Sequence, residues 1–278
     1  MTINTNTENQ TEQMKLQTLF EGIDYRVARS RDELEKAYLL VYNEYLKRNY
    51  VCESSSKLRL SMHNALPTTT TFIAVLENEI FSTATVVADS ELGLPMDETY
   101  HEELTQLRNQ KKRLCEVTML ASNTTLFNEG VSMMLNSKKM FLIFNLFKLV
   151  FDYAIQYLKL DCICITINPK HSITYDFLLF KDIGGLKQYD KANGAPAIAK
   201  YLDLSTVENE CKEKNKEGLY LMFFEKRTTE NKFSDKFKFS ESDLNYFFAE
   251  KTSIFKNASA NELKYIKGLY PGYNLFVK

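Results

Sequence analysis

The sequence predicts an α/β (α+β) fold: a mixed central sheet flanked by helices, with a helical appendage at the C-terminus. Strand-like and helix-periodic segments alternate from Tyr25 to Leu204, a hairpin stands early in that order, and after Ser205 only helical signals remain. Such alternation marks a mixed sheet rather than a helix bundle. The expected organisation is a disordered polar tail over residues 1–20, one α/β domain over 21–205 and a helical appendage over 206–278. At 278 residues the chain exceeds a usual single domain and falls short of two large ones, which suits this division.

Met1 to Lys15 is rich in Asn, Thr and Gln and has no apolar run for a signal peptide or anchor, hence the tail. Tyr25 to Ala28 reads as a short strand. Ser30 with Glu33 forms a reciprocal capping pattern, and Leu34, Tyr38, Val41, Tyr42 and Tyr45 continue at helical spacing. Thr71 to Leu76 and Ile80 to Ala88 are β-branched and apolar and flank Glu77-Asn78-Glu79, which predicts a hairpin. After Pro95, Asp97 to Lys111 reads as a helix with a solvated, charged face, and a strand follows from Arg113.

Met140 to Leu158 is apolar on almost every side. Lys148 and Asp152 interrupt it one turn apart, where they can pair, and charges in mid-span are costly in a bilayer, so a buried helix is the better reading. Asp161 to Ile167 is a strand that puts Cys162 and Cys164 on one face, and Ile173 to Phe180 is a helix. Strands are expected near Leu186 to Tyr189 and Ala197 to Leu204. Helices over Val207 to Lys216, Ser240 to Lys251 and Ser259 to Lys267 complete the chain, with Ser240/Asp243 and Ser259/Glu262 as N-cap patterns and Gly268 as a stop.

Composition narrows the function. Lys+Arg 35 against Asp+Glu 36 gives a net charge of -1, so no global field attracts nucleic acid. Five cysteines, odd in number and without Cys-x-x-Cys spacing, fit neither a disulfide framework nor a zinc or redox motif, and suit a reducing cytoplasm. Three scattered histidines give no metal-ligand spacing, so no metal is expected.

Two stretches carry ionisable side chains to the point where a strand gives way to a loop. Leu114-Cys115-Glu116-Val117-Thr118-Met119-Leu120-Ala121 is one, and Asn168-Pro169-Lys170-His171 with Tyr175 is the other. Together they bring Glu116, His171 and Tyr175 toward one another, a constellation for proton transfer. Strand alternation places Glu116 on a face with Leu114, Thr118 and Leu120, where apolar neighbours raise a carboxyl pKa, and Cys115 on the opposite face as a buried small hydrophobe. A salt bridge from Glu116 to Arg113 is the structural alternative.

The element order resembles the GNAT acyltransferase fold, in which the pantetheine arm of a thioester enters between two splayed central strands. Four stretches narrow the likeness: Gly93-Leu94-Pro95-Met96-Asp97, Arg113 to Ala121, Asn168-Pro169-Lys170-His171 with Tyr175, and Asn193-Gly194-Ala195-Pro196-Ala197. In this order they are similar to the N-acyl amino acid synthases of the FeeM type, relatives of GNAT enzymes and acyl-homoserine lactone synthases. The resemblance implies an acyltransferase that moves a long acyl chain from an acyl carrier protein thioester to the amine of an amino acid or a similar amine, with no bound cofactor.

The resemblance also implies roles. Glu116 is the candidate base that frees the acceptor amine, and backbone N–H groups of Met119 to Ala121 the candidate receivers of the oxyanion. His171 and Tyr175 are candidates either to protonate the departing thiolate or to orient the acceptor carboxylate. Arg113, Thr118, Met119, Leu120, Ala121 and Asn168 complete the expected substrate contacts. Two departures stand out. Asn136-Ser137-Lys138-Lys139-Met140-Phe141 occupies the place of the glycine-rich turn that binds pyrophosphate, which favours a carrier protein over coenzyme A as donor. Ser82 stands where a glycine is expected in the second hairpin strand. Lys111-Lys112-Arg113 and Lys138-Lys139 are candidate contacts for the acidic surface of a carrier protein. The rival readings are a coenzyme A-dependent N-acetyltransferase and a non-catalytic protein that binds acyl carrier protein or lipid.

Overall fold

A computed structural model describes residues 22–123, 143–225 and 230–275. The chain opens with β1 (Asp24–Val27) and α1 (Arg31–Leu46). Ser30 caps α1, its side chain accepting the Glu33 N–H. The cap is not reciprocal as expected: the Glu33 carboxylate accepts the N–H of Arg29 at 2.7 Å and the guanidinium of Arg26. The predicted hairpin forms from β2 (Thr70–Leu76) and β3 (Glu79–Ala88), turning at Glu77 and Asn78, both at positive φ.

Helix α2 (Asp97–Asn109) leads into β4 (Leu114–Ser122). Helix α3 (143–152) runs into a π-helical turn, Tyr153–Tyr157, and Lys148 pairs with Asp152 at 2.8 Å as the spacing requires. The first residues of the apolar run, 140–142, lie outside the described residues. Then come β5 (Cys162–Ile167), α4 (Ser172–Phe177), β6 (Lys181–Tyr189) and β7 (Ala195–Asp203). Strand β6 begins five residues before the expected Leu186, and α4 is correspondingly shorter. Gly184 permits this: a Cβ there would lie 2.6 Å from the Tyr100 ring.

All seven strands form one sheet in the order β1-β2-β3-β4-β5-β7-β6. The pairs are antiparallel except β4 with β5, which are parallel and in register only from Leu114↔Cys162 to Glu116↔Cys164. Past Glu116 the two strands part. Helices α1 and α2 cover one face of the sheet. Cys162 and Cys164 share that face, packed with Leu104 and Leu107 of α2. Helix α3 covers the other face with Val117, Ile163 and Ile165. Among the described residues no helix is long and apolar enough to cross a membrane.

The C-terminal region contains α5 (Val207–Glu213), α6 (Glu217–Tyr220), α7 (Glu241–Asn245), α8 (Ile254–Asn257) and α9 (Ala260–Leu269). Ser240 with Asp243 and Ser259 with Glu262 form full capping boxes. Gly268 does not stop the last helix, which continues to Leu269. Leu219, Phe223 and Phe233 enter the core beside α3, and Leu244, Phe247, Phe248 and Phe255 enter the core beside α1.

Candidate active site

The parting of β4 and β5 opens a cavity of about 460 Å³, lined from both faces of the sheet. Its α3 side is apolar, with Leu120, Leu146, Phe147, Ile165 and Leu178. Its α1 side is polar and aromatic, with Tyr45, Arg48, Tyr50, Arg59, Tyr189 and Lys191. Thr118 and Thr166 line it as well, and the Thr166 hydroxyl is buried without a hydrogen-bond partner among the described residues.

Glu116 is the last residue of β4 in register with β5 and is 1% exposed. Its Oε2 accepts the backbone N–H of Met96 at 2.7 Å. The loop that presents this N–H is the Gly93 to Asp97 stretch, and its geometry is fixed from within. Gly93 adopts φ +68 and approaches Asp97 so closely that a Cβ would lie 2.7 Å from Asp97 Oδ2. That oxygen accepts the Leu94 N–H at 2.6 Å, and Arg108 clamps Asp97 and Asp89 together. Burial pushes the Glu116 carboxyl up to about 8, with Asp97 adding to the rise, against the opposing pull of the Met96 N–H and Lys191. Arg113 is not its partner: that guanidinium pairs with Asp161 at 3.0 Å.

A β-bulge follows directly. Thr85 faces Thr118 and Thr83 faces Ala121, so β4 holds one residue more than β3 across this step, and Met119 takes the left-handed φ of 54°. The extra residue reverses alternation. Met119 and Ala121 pack with the α1 core, whereas Leu120 joins Val117 on the α3 side. Leu120 therefore does not share the face of Glu116 expected from strict alternation. Ser82 turns its hydroxyl to the carbonyl of Ala121 and to Ser122.

At the far wall, Asn168 caps the turn Pro169–His171 by accepting the Lys170 N–H, and α4 carries Tyr175. Partial desolvation lowers the His171 pKa, helped by the charges of Lys170 and Arg48. Burial raises the Tyr175 phenol to about 12. Glu116, Thr118, Met119, Leu120, Ala121, Asn168, His171 and Tyr175 thus all line one cavity, and Arg113 does not. Cys115 faces away into the α3 core and burial raises its thiol far above the usual range. Lys112 is held by Asp203 at 3.2 Å and Arg113 by Asp161, so two of the three cations of the first basic stretch are neutralised internally. Lys138 and Lys139, with the whole Asn136 to Phe141 stretch, lie outside the described residues. Among the described residues no three His, Cys, Asp or Glu side chains gather as a metal site.

Sequence reasoning missed Tyr45, Arg48, Arg59, Tyr189 and Lys191. Lys191 was within reach of the Asn193 to Ala197 stretch, whose Ala195, Pro196 and Ala197 line the cavity too. Arg59 gives only a faint signal: buried Leu58 and Leu60 flank it and turn it the other way.

The family described as "N-acyl amino acid synthase FeeM" matches residues 36–203. Among solved structures, FeeM, an N-acyl amino acid synthase from uncultured soil microbes, is 29% identical with a TM-score of 0.59, covering 69% of this chain and 96% of that one. The acyl-homoserine lactone (AHL) synthase LasI is 10% identical with a TM-score of 0.51, covering 75% and 96% respectively. An N-acetyltransferase from Staphylococcus aureus Mu50 is 14% identical with a TM-score of 0.44, covering 66% and 98%. No curated protein matches the chain. The sheet with its flanking helices is GNAT-like, with extra helices at the C-terminus.

Proposed function

The chain belongs to the N-acyl amino acid synthase family of the FeeM type and is an N-acyltransferase; from that premise we propose that it transfers a long acyl chain from an acyl carrier protein thioester to the α-amine of an amino acid, with Glu116 as base. The observation that carries this reading is a buried carboxyl, hydrogen-bonded to the Met96 N–H and without an ion pair among the described residues, at the point where β4 and β5 part.

The chemistry follows from the groups present. The α-amino group of an amino acid is mostly protonated near pH 7 and cannot attack until it loses a proton, and a base whose pKa lies near the operating pH removes that proton most readily. Ionised Glu116 takes one proton from the acceptor ammonium. The freed lone pair attacks the thioester carbonyl carbon and a C–N bond forms. The oxyanion is received by backbone N–H groups of the Met119 to Ala121 bulge, next to strand edges that have no register partner. As the intermediate collapses the C–S bond breaks, the nitrogen loses its second proton to the departing thiolate, and Glu116 returns its own to solvent. Tyr175, kept as a phenol, and the imidazole N–H of His171 donate hydrogen bonds to the leaving sulfur. No covalent enzyme intermediate is required.

Two features support a carrier-protein donor. Asn136 to Phe141 lacks the glycines of a pyrophosphate-binding turn. On α4, which carries the cavity-lining Thr174 and Tyr175, Ile173 is 83% exposed and Phe177 45%, beside exposed Lys170 and with Lys216 over the Phe177 ring. An apolar pair flanked by cations complements an acidic partner and replaces the Lys111 to Arg113 stretch as the proposed docking face.

The test supplies one acyl chain as carrier-protein thioester and as coenzyme A thioester, each with mixed amino acids, and reads N-acyl products by mass spectrometry. The expected result is N-acyl amino acid from the carrier thioester at least tenfold faster than from coenzyme A, and a loss of about 10²–10⁴-fold in Glu116→Gln. Absence of product from either donor overturns the reading. Equal use of both donors overturns the carrier assignment alone.

A further inference from the structure

Among the described residues three cations line the polar side of the cavity, and they are not equivalent. Arg48 is held by the carboxylate of Glu44 at 2.8 Å. Lys191 is held by Glu98 at 3.0 Å and by the Pro95 carbonyl at 2.7 Å. Arg59 has no carboxylate among the described residues. Its backbone N–H is fixed to the Tyr38 carbonyl at 3.1 Å, and its Nη2 donates to the Lys191 carbonyl at 2.8 Å. Its Nε and Nη1 make no hydrogen bond among the described residues, so part of the guanidinium fork is oriented by the protein and left without an acceptor.

Arg59 is half-buried among Tyr45, Tyr50 and Tyr189, all lining the same cavity. Tyr189 neighbours both ends of the polar side, since its phenol feels the charges of Glu116 and of Arg59. Glu116 itself is committed to the Met96 N–H rather than to Arg59. A half-buried guanidinium with part of its fork free is matched in charge and shape by a planar carboxylate. A free amino acid carries a carboxylate one carbon from its amine.

We propose that Arg59 binds the α-carboxylate of the acceptor while Glu116 receives its amine, so that this chain selects free α-amino acids over amines, amino amides and peptide N-termini. The proposal rests on the acyltransferase reading above for the position of the amine and adds the group that recognises the acid.

The test compares an equimolar mixture of the standard amino acids with a mixture of their amides, using wild-type protein, Arg59→Met and Arg59→Lys. With acyl carrier protein as donor, wild type is expected to acylate the acids in preference. Arg59→Met is expected to raise KM for the acids about 10–100-fold, the worth of a charged hydrogen bond, and to leave KM for the amides within about twofold. Arg59→Lys is expected to retain part of the preference, because it keeps the charge and loses the fork. Equal loss of acids and amides in Arg59→Met, or an unchanged preference, overturns the proposal. In the absence of donor, the same mixtures are compared by the rise in melting temperature they produce. Stabilisation of wild type by the acids alone, abolished in Arg59→Met, supports carboxylate binding even where no acyl product forms and the acyltransferase reading has failed. Equal stabilisation by acids and amides, or none by either, overturns it whatever the turnover.

Discussion

Glu116 holds a proton that it must lose before it can act. In the folded chain its carboxyl titrates at about 8, against an ordinary value of 4.5, because burial disfavours the ionised form. Activity is therefore expected to rise with pH up to about 8 and level off as Glu116 becomes ionised. Stability moves the other way. Between about pH 4.5 and 8 the unfolded chain has released a proton that the folded chain keeps, so the stabilising contribution is full below 4.5 and is lost as pH rises through about 8. Glu116→Gln cannot ionise, so its melting temperature is expected to fall less than that of wild type between pH 5 and 8, while its turnover drops. Thermal scans across that range check the first, and a pH–rate profile the second. A parallel loss of stability in both proteins would place the ionisation elsewhere. This residue was legible in the sequence because an acid stood in an apolar strand. Its Met96 partner was not, since the contact depends on how the Gly93 to Asp97 loop closes over the strand.

At the scale of the element, the bulge in β4 decides which side chains reach the opening. An alternating sequence says where residues point only while the count on both strands stays equal. Leu114 to Ser122 carries no glycine or proline to mark an extra residue, so the reversal at Met119 was invisible, and Leu120 was assigned to the wrong face. A residue at φ 54° tolerates an unbranched side chain better than a β-branched one. Met119→Leu and Met119→Ile introduce isomeric side chains into the same buried site, which separates backbone strain from volume. The leucine variant is expected to lose less than about 1.5 kcal/mol, and the isoleucine variant about 1–2 kcal/mol more, by denaturant unfolding. If the bulge also aims the oxyanion contacts, kcat should fall further in the isoleucine variant while the melting shift with amino acids stays. Equal unfolding midpoints for the two variants would show that the left-handed turn at Met119 is relaxed in solution.

Across the whole molecule, the helices after Ser205 were legible one at a time and their placement was not. Capping residues such as Ser240 with Asp243 announce a helix locally, whereas an apolar side chain states that it will be buried without saying against what. In the structure Phe233 packs on Phe72 and Tyr153 at 6.3 and 5.2 Å between ring centroids, and Phe247 meets Tyr38 of α1 at 5.6 Å. Arg31 at the start of α1 pairs with Asp243. These contacts seat the C-terminal region in the same cores that carry the sheet, although no described residue beyond Ala197 lines the cavity. Two expectations follow from that separation. A chain ending at Ser205 would expose both apolar faces and is expected to lose its cooperative unfolding transition and to aggregate. Phe233→Ala is expected to cost about 3–5 kcal/mol by denaturant unfolding, as for other buried aromatic truncations, and to leave acceptor KM within about twofold in the folded fraction. A soluble, active 1–205 chain would show instead that the helices are dispensable, and a changed acceptor KM in Phe233→Ala would show that they reach the cavity through the α3 core.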